Sequence, residues 1–126
     1  MIQTKLSLPQ HYDPNYAYPL ILCNDGNLQH LYTCKEKAIL VGLLPENRLK
    51  DYTPWQAEAT RAGAENFGGQ ADEYHNELFN NVLPELQSRY SIDTNKIIYG
   101  GYSLGGLAAV YSLYRTNIPS AVFSIC

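Results

Sequence analysis

Apolar and polar positions alternate from Ile2 to Leu8, with Ile2, Leu6 and Leu8 set among polar neighbours, and this predicts an outer strand. An irregular loop follows, built around Pro9, Pro14 and their tyrosines. Tyr18-Pro19-Leu20-Ile21-Leu22-Cys23 and Ala38-Ile39-Leu40-Val41-Gly42-Leu43 are short continuous apolar runs, the pattern of strands buried on both faces. Between them lie a polar turn, Asn24-Asp25-Gly26-Asn27, and a segment from Leu28 to Lys37 that fits one short helix. Pro45 closes the second strand. Asn47 to Gly69 reads as a long loop with at most a short helix around Pro54 to Arg61; a loop of that length in a small domain is more often functional than idle. Gln70 to Tyr90 is helical, with Tyr74, Leu78, Val82 and Leu86 forming one apolar face together with Phe79, Leu83 and Tyr90. Pro84 should kink or interrupt it, because proline lacks a backbone donor and crowds the preceding turn. A strand through Ile97 to Tyr99, a helix reaching about Arg115 and a last strand over Ser120 to Ile125 complete the order. Strands alternating with helices predict an α/β fold, a mostly parallel sheet with helices on both faces.

The most informative stretch runs Ile97-Ile98-Tyr99-Gly100-Gly101-Tyr102-Ser103-Leu104-Gly105-Gly106-Leu107-Ala108-Ala109-Val110. It reads as a buried strand, a tight turn with serine at its apex and a helix leaving at once. Gly101-Tyr102-Ser103-Leu104-Gly105 fits G-x-S-x-G, the nucleophile elbow. A serine held above a sheet edge in a strained conformation brings the residues two before and two after it against neighbouring backbone. Gly101 and Gly105 fill those places, and Gly106 lets the helix press on the strand. The competing reading is a glycine-rich turn that cradles phosphate. It fails on detail: Tyr102 stands where G-x-G-x-x-G needs its second glycine, and Gly106-Leu107 stands where Walker A needs Lys-Ser/Thr.

Composition narrows the partners. The 126 residues are 45% hydrophobic and 17% charged, with a net charge of −3, so no basic footprint for nucleic acid exists. No apolar run approaches the roughly 18 residues of a membrane span, and Met1-Ile2-Gln3-Thr4-Lys5 does not open a secretion signal. Cys23, Cys34 and Cys126 are odd in number and widely spaced, which fits reduced thiols in a cytoplasmic protein. Eleven tyrosines against three phenylalanines suggest wet aromatic surfaces near a cleft. Neither a metal nor a cofactor is expected.

An activated serine needs an oxyanion hole and a base. The backbone N–H of Leu104 is the first expected donor, and the N–H of Asn27 or Gly26 the second, from the loop after the neighbouring strand. An ordinary Asx-Gly turn explains that loop equally well. The histidines His11, His30 and His75 all precede Ser103, and no Asp, Glu or His follows it. His11 falls in a loop, and His75 is expected with Asp72 and Glu77 on a solvated helix face. His30 is close enough in sequence to the oxyanion loop to reach the cleft, although a structural histidine is the plainer reading.

Taken together, the segments resemble the esterase family of α/β-hydrolases that includes enterochelin-esterase-like enzymes, S-formylglutathione hydrolases, feruloyl esterases and mycolyltransferases. The resemblance is carried by Leu8-Pro9-Gln10-His11-Tyr12-Asp13, Tyr18 to Gly26, Arg48-Leu49-Lys50-Asp51-Tyr52-Thr53-Pro54, Phe67-Gly68-Gly69-Gln70-Ala71-Asp72 and Tyr99 to Ala108, in family order. It implies Ser103 as nucleophile, the amides of Leu104 and Asn27 as oxyanion hole, and a small-molecule ester as substrate. It also implies that residues 1–126 correspond to the N-terminal part of one domain, truncated after the strand that follows the nucleophile helix, with the triad acid and histidine absent. The expected function is a serine carboxylic ester hydrolase working through an acyl-enzyme. An acyltransferase of the same family and an inactive fragment or binding module are the alternatives. The uncharged strand at 120–125 is expected to lie at an exposed edge and to recruit another strand, giving a dimer, a larger assembly or aggregation.

Overall fold

The computed structural model describes residues 1–59, 63 and 65–125. Thus Arg61, at the end of the expected loop helix, and Cys126 lie outside the described residues. In chain order the elements are β1 (Gln3–Ser7), β2 (Tyr18–Asn24), a 3-10 helix (Leu28–Cys34), β3 (Ile39–Leu44), α1 (Arg48–Asp51), β4 (Gln56–Ala57) and β5 (Phe67–Gly68). They continue with α2 (Ala71–Glu77), a π turn (Leu78–Val82), α3 (Leu83–Arg89), β6 (Ile92–Tyr102), α4 (Leu104–Ser112) and β7 (Ala121–Ile125). Among the described residues no helix is long and apolar enough to cross a membrane.

Five strands form one sheet in the order β1-β3-β2-β6-β7. Only β1 runs antiparallel, against β3; the other three pairings are parallel, with Leu22 opposite Tyr99 and Tyr99 opposite Val122. The apolar runs are buried on both faces, as their lack of alternation predicted. From β2, Leu20 and Leu22 pack in one core with Ile39, Val41, Ile97 and Tyr99, while Ile21 and Cys23 pack on the opposite face with Leu40. Tyr74, Leu78, Leu83 and Leu86 of the long helical rod, with Ala108 and Ala109 of α4, close the first core. Leu28 and Leu31 of the 3-10 helix cover the second. So helices lie on both faces, but among the described residues one face has only the short 3-10 segment.

Two expectations change and a third takes a definite form. The segment from Leu28 is a 3-10 helix ending at Cys34, and not an α-helix to Lys37. In the Asn47–Gly69 stretch the helix is α1, upstream of the expected Pro54–Arg61, because the Asn47 side chain accepts from the N–H groups of Leu49 and Lys50 and so caps it. Residues 56–57 instead pair antiparallel with 67–68. Lastly, the interruption expected at Pro84 is a single π turn between α2 and α3. The Leu83 N–H donates to the Leu78 carbonyl, and this wider turn receives a proline at the start of α3.

Candidate functional site

β6 ends at Tyr102 and α4 begins at Leu104, so Ser103 alone makes the turn. Its backbone is strained, with φ 53° and ψ −120°, and the residue is exposed. Backbone hydrogen bonds hold it on both sides. The Ser103 N–H donates to Ile125 O at 2.8 Å, and Ser103 O accepts from the Leu107 N–H at 3.0 Å. The turn closes only because the flanking side chains are absent. A Cβ built on Gly101 would lie 2.7 Å from the Gly105 carbonyl carbon, and one on Gly105 would lie 3.0 Å from Asn24 Cβ. Leu104, as the first helical residue, has an N–H with no acceptor inside α4, pointing along the positive end of the helix.

The neighbouring parallel strand β2 ends beside this turn, and there the chain is again left-handed. Asp25 (φ 64°) and Ser103 are the two non-glycine residues with positive φ among those described. Strain of that kind gathers at functional sites. The Asp25 N–H donates to the Tyr52 hydroxyl at 3.0 Å, and its carboxylate takes both Nε and a terminal nitrogen of Arg48, at 3.3 and 3.0 Å. That pairing raises the Arg48 pKa further and keeps the guanidinium charged. Gly26 (φ 68°) turns away over β3: its Cα lies 2.7 Å from a Cβ built on Gly42. The chain then returns, since the His30 ring lies 5.2 Å from that of Tyr102, next to Ser103. Asn27 sits between these two points.

Beneath the elbow lies a buried polar network that the sequence did not suggest. Asn24, fully buried, donates from Nδ2 to Gly105 O and to the Tyr99 hydroxyl, each at 2.9 Å, and its Oδ1 accepts from the Tyr74 hydroxyl at 2.9 Å. Tyr99 also meets His75 Nε2 at 3.0 Å. His75 is 5% exposed, not on a solvated face, and its Nδ1 has no partner among the described residues. Burial, against a smaller opposing effect of Asp72, lowers its pKa to about 4. Tyr52, Tyr74 and Tyr99 are buried too, and burial raises all three hydroxyls above the ordinary range. Tyr52, Tyr74 and Tyr99 thus form a dry support beneath the elbow, whereas Tyr102, beside Ser103, is half-buried and Tyr16, Tyr32 and Tyr114 are exposed. Cys23 is likewise inert, with burial pushing its thiol to about 11.

Periodicity held the signal for both missed residues. His75 falls four residues from Ala71 and from Phe79, on the buried side of the rod, and Asn24 continues the Leu20, Leu22 face by two.

His11 is exposed in its turn, and His30 is exposed on the 3-10 helix. Among the described residues no side chain is hydrogen-bonded to the Ser103 hydroxyl. The arrangement brings together an exposed serine, a helix N-terminus and the β2 loop, and leaves the base unassigned.

The comparisons agree with this architecture. Residues 1–119 match the family model Esterase, described as "Putative esterase". The chain is 28% identical over 124 residues to the uncharacterized protein YbbA of Bacillus subtilis, covering 87% of this chain and 50% of that protein. In fold it is similar to an IroE-like serine hydrolase from Shewanella oneidensis (TM-score 0.81, 22% identity, 97% of this chain and 49% of the other). It is also similar to the enterobactin hydrolase IroE in complex with DFP (TM-score 0.75, 21% identity, 94% and 54%). The chain spans about half the length of these relatives. With almost all of its described sheet, its elbow turn and residues 1–119 inside the family's pattern, the chain belongs to the esterase family.

Proposed function

We propose that this chain carries the nucleophile half of a serine carboxylic ester hydrolase acting on a small-molecule ester. The observation that carries this is the conformation of Ser103, an exposed serine at φ 53° directly before the N-terminus of α4. In this reading Ser103 Oγ attacks the ester carbonyl, the acyl group passes to the serine, and the alcohol leaves with a proton. The amides of Leu104 and Asn27 hold the developing oxyanion. Water then releases the acid. An acyltransferase differs only in the acceptor, an alcohol in place of water. The odd number and wide spacing of Cys23, Cys34 and Cys126 support a cytoplasmic protein with reduced thiols, and neither nucleic acid nor membrane is proposed as a partner.

With no base hydrogen-bonded to the Ser103 hydroxyl among the described residues, turnover should be slow. Loss of a triad member leaves roughly 10³–10⁴-fold acceleration over water, from the oxyanion hole and binding alone. Hydrolysis of p-nitrophenyl butyrate by the purified chain is therefore expected above background but far below that of an intact esterase, and Ser103→Ala should leave most of this residual rate, because it comes from the oxyanion hole and binding and not from the serine. Fast turnover that depends on Ser103 would reveal a base, with His30 tested first. No acceleration above background would favour the binding-module reading.

A second copy of the chain is the further partner we propose. β7 is the outer strand of the described sheet, and Ala121, Val122, Phe123, Ser124 and Ile125 bear no charge to discourage pairing. Beside it, α4 contains no charged residue, and Leu107, Val110, Leu113 and Tyr114 are exposed along it and its end. Two copies pairing β7 antiparallel about a two-fold axis would cover both features without bringing like charges together. Sedimentation should show a dimer, with the β7 amides slow to exchange. A monomer at high concentration with fast-exchanging β7 amides would overturn this.

A further inference from the structure

We propose that Asn24 is a positioning residue that sets the spacing between the two arms of the oxyanion hole. The inference rests on the esterase reading above and assigns a residue that lies outside the G-x-S-x-G motif.

Asn24 is the last residue of β2, and the loop carrying Asn27 starts immediately after it. Its Cβ lies 3.1 Å from a Cβ built on Gly101 and 3.0 Å from one built on Gly105, so it fills the wedge between the two elbow glycines. Its amide nitrogen donates to Gly105 O, in the first turn of α4, at 2.9 Å. One rigid side chain thereby ties the helix that carries the Leu104 N–H to the strand that launches Asn27. The amide cannot rotate to escape this geometry. Its other donor is taken by the Tyr99 hydroxyl and its oxygen by the Tyr74 hydroxyl, each at 2.9 Å. The Tyr52 hydroxyl, 3.0 Å from the Asp25 N–H, holds the next residue along. An apolar side chain of the same size would fill the space but would not fix the separation of strand and helix. Oxyanion donors work only when preplaced about 3 Å from the developing charge, so small displacements cost rate rather than binding.

The test is the reaction of the 126-residue chain with diisopropyl fluorophosphate, followed by intact mass and peptide mapping. Ser103 Oγ forms a bond to phosphorus, the P–F bond breaks, fluoride leaves and the hydroxyl proton passes to solvent. Varying reagent concentration separates the binding constant from the maximal rate of modification. Asn24→Leu is expected to lower the maximal rate by about tenfold to a hundredfold with the binding constant unchanged. Tyr74→Phe also removes a buried hydrogen bond from Asn24 but leaves its link to Gly105, and its rate should stay within a factor of two or so of the unmodified chain. Should Asn24→Leu fail to fold, Asn24→Ala serves in its place, since it too lacks the donor to Gly105 and buries no charge. An unchanged maximal rate in the Asn24 variant overturns the proposal, as does an equal loss in Tyr74→Phe, which would mark a general packing effect. A chain that is not modified at Ser103 at all overturns the esterase reading itself and this inference with it.

Discussion

Gly101→Ala should be among the most damaging single-methyl changes available in this chain. The added Cβ would sit 2.7 Å from the carbonyl carbon of Gly105, 2.9 Å from its oxygen and 3.1 Å from Asn24 Cβ. Those neighbours are helix backbone and a fully buried side chain, so none can swing aside as a flexible side-chain end would. α4 must lift from β6. That disturbs the packing of Ala108 and Ala109 in the core and breaks the 2.9 Å bond from Asn24 to Gly105. Overpacking against backbone costs about 3 kcal/mol at a site of this kind, which lowers the melting temperature by roughly 10 °C in a chain of this size. Modification of Ser103 by a fluorophosphonate should disappear together with the stability. Leu107→Ala is the comparison, because Leu107 is 40% exposed on the outer side of the same helix and its truncation should cost less than about 1 kcal/mol. A Gly101→Ala protein melting within two or so degrees of the unsubstituted chain would mean that strand and helix do not approach as closely as described.

The elements that sequence reading recovered are those in which one physical signal dominates. β2 and β3 are continuous apolar runs, and a run of that length has few places to go except the middle of a parallel sheet. The elbow is legible because its geometry leaves few residue types possible at three neighbouring positions. What escaped was set by competition between signals. Residues from Pro54 onward have helical composition, but Asn47 offers a side-chain cap upstream, and the cap decided where the helix formed. Leu28 to Lys37 reaches only Cys34 because Lys37 and Ala38 both donate to Cys34 O, which ends the helix just before β3. Residue type misled in the polar cases. A histidine between an aspartate and a glutamate suggests a wet helix face, yet position 75 faces inward with Tyr74 and Phe79. Asn24 looks like the first residue of a polar turn and is the last residue of a buried strand. Both side chains are kept in the core by the Tyr99 hydroxyl, and a pairwise partner 24 or 75 residues away leaves no local trace in the sequence.

Acid should weaken this fold through His75, and the sign follows from its burial. In the unfolded chain the imidazole takes a proton near pH 6.5; in the fold burial lowers that to about 4. The folded state therefore prefers neutral His75. Its full contribution is present above pH 6.5, falls as the pH drops toward 4, and has been lost below that. A gap of about 2.5 units corresponds to roughly 3 kcal/mol, a large part of the stability of a small domain. The surroundings explain the size. His75 packs among the rings of Tyr74, Phe79, Tyr99 and Tyr111; its Nε2 meets the Tyr99 hydroxyl, and its Nδ1 meets no acceptor that would welcome a second proton. Asp72 favours the charged form, but its carboxylate is engaged with the Tyr111 hydroxyl and Arg115. Urea unfolding at pH 7 and at pH 4 would measure the effect in the unsubstituted chain and in His75→Gln, whose amide stays neutral. The carboxylates titrate alike in both proteins and cancel in the difference. The unsubstituted chain should lose about 3 kcal/mol more than the variant over this interval, and the His75 ring resonances should titrate near pH 4. Equal losses in the two proteins, or a ring titrating near 6.5, would mean that water or a carboxylate reaches Nδ1 and that the network beneath the elbow is open.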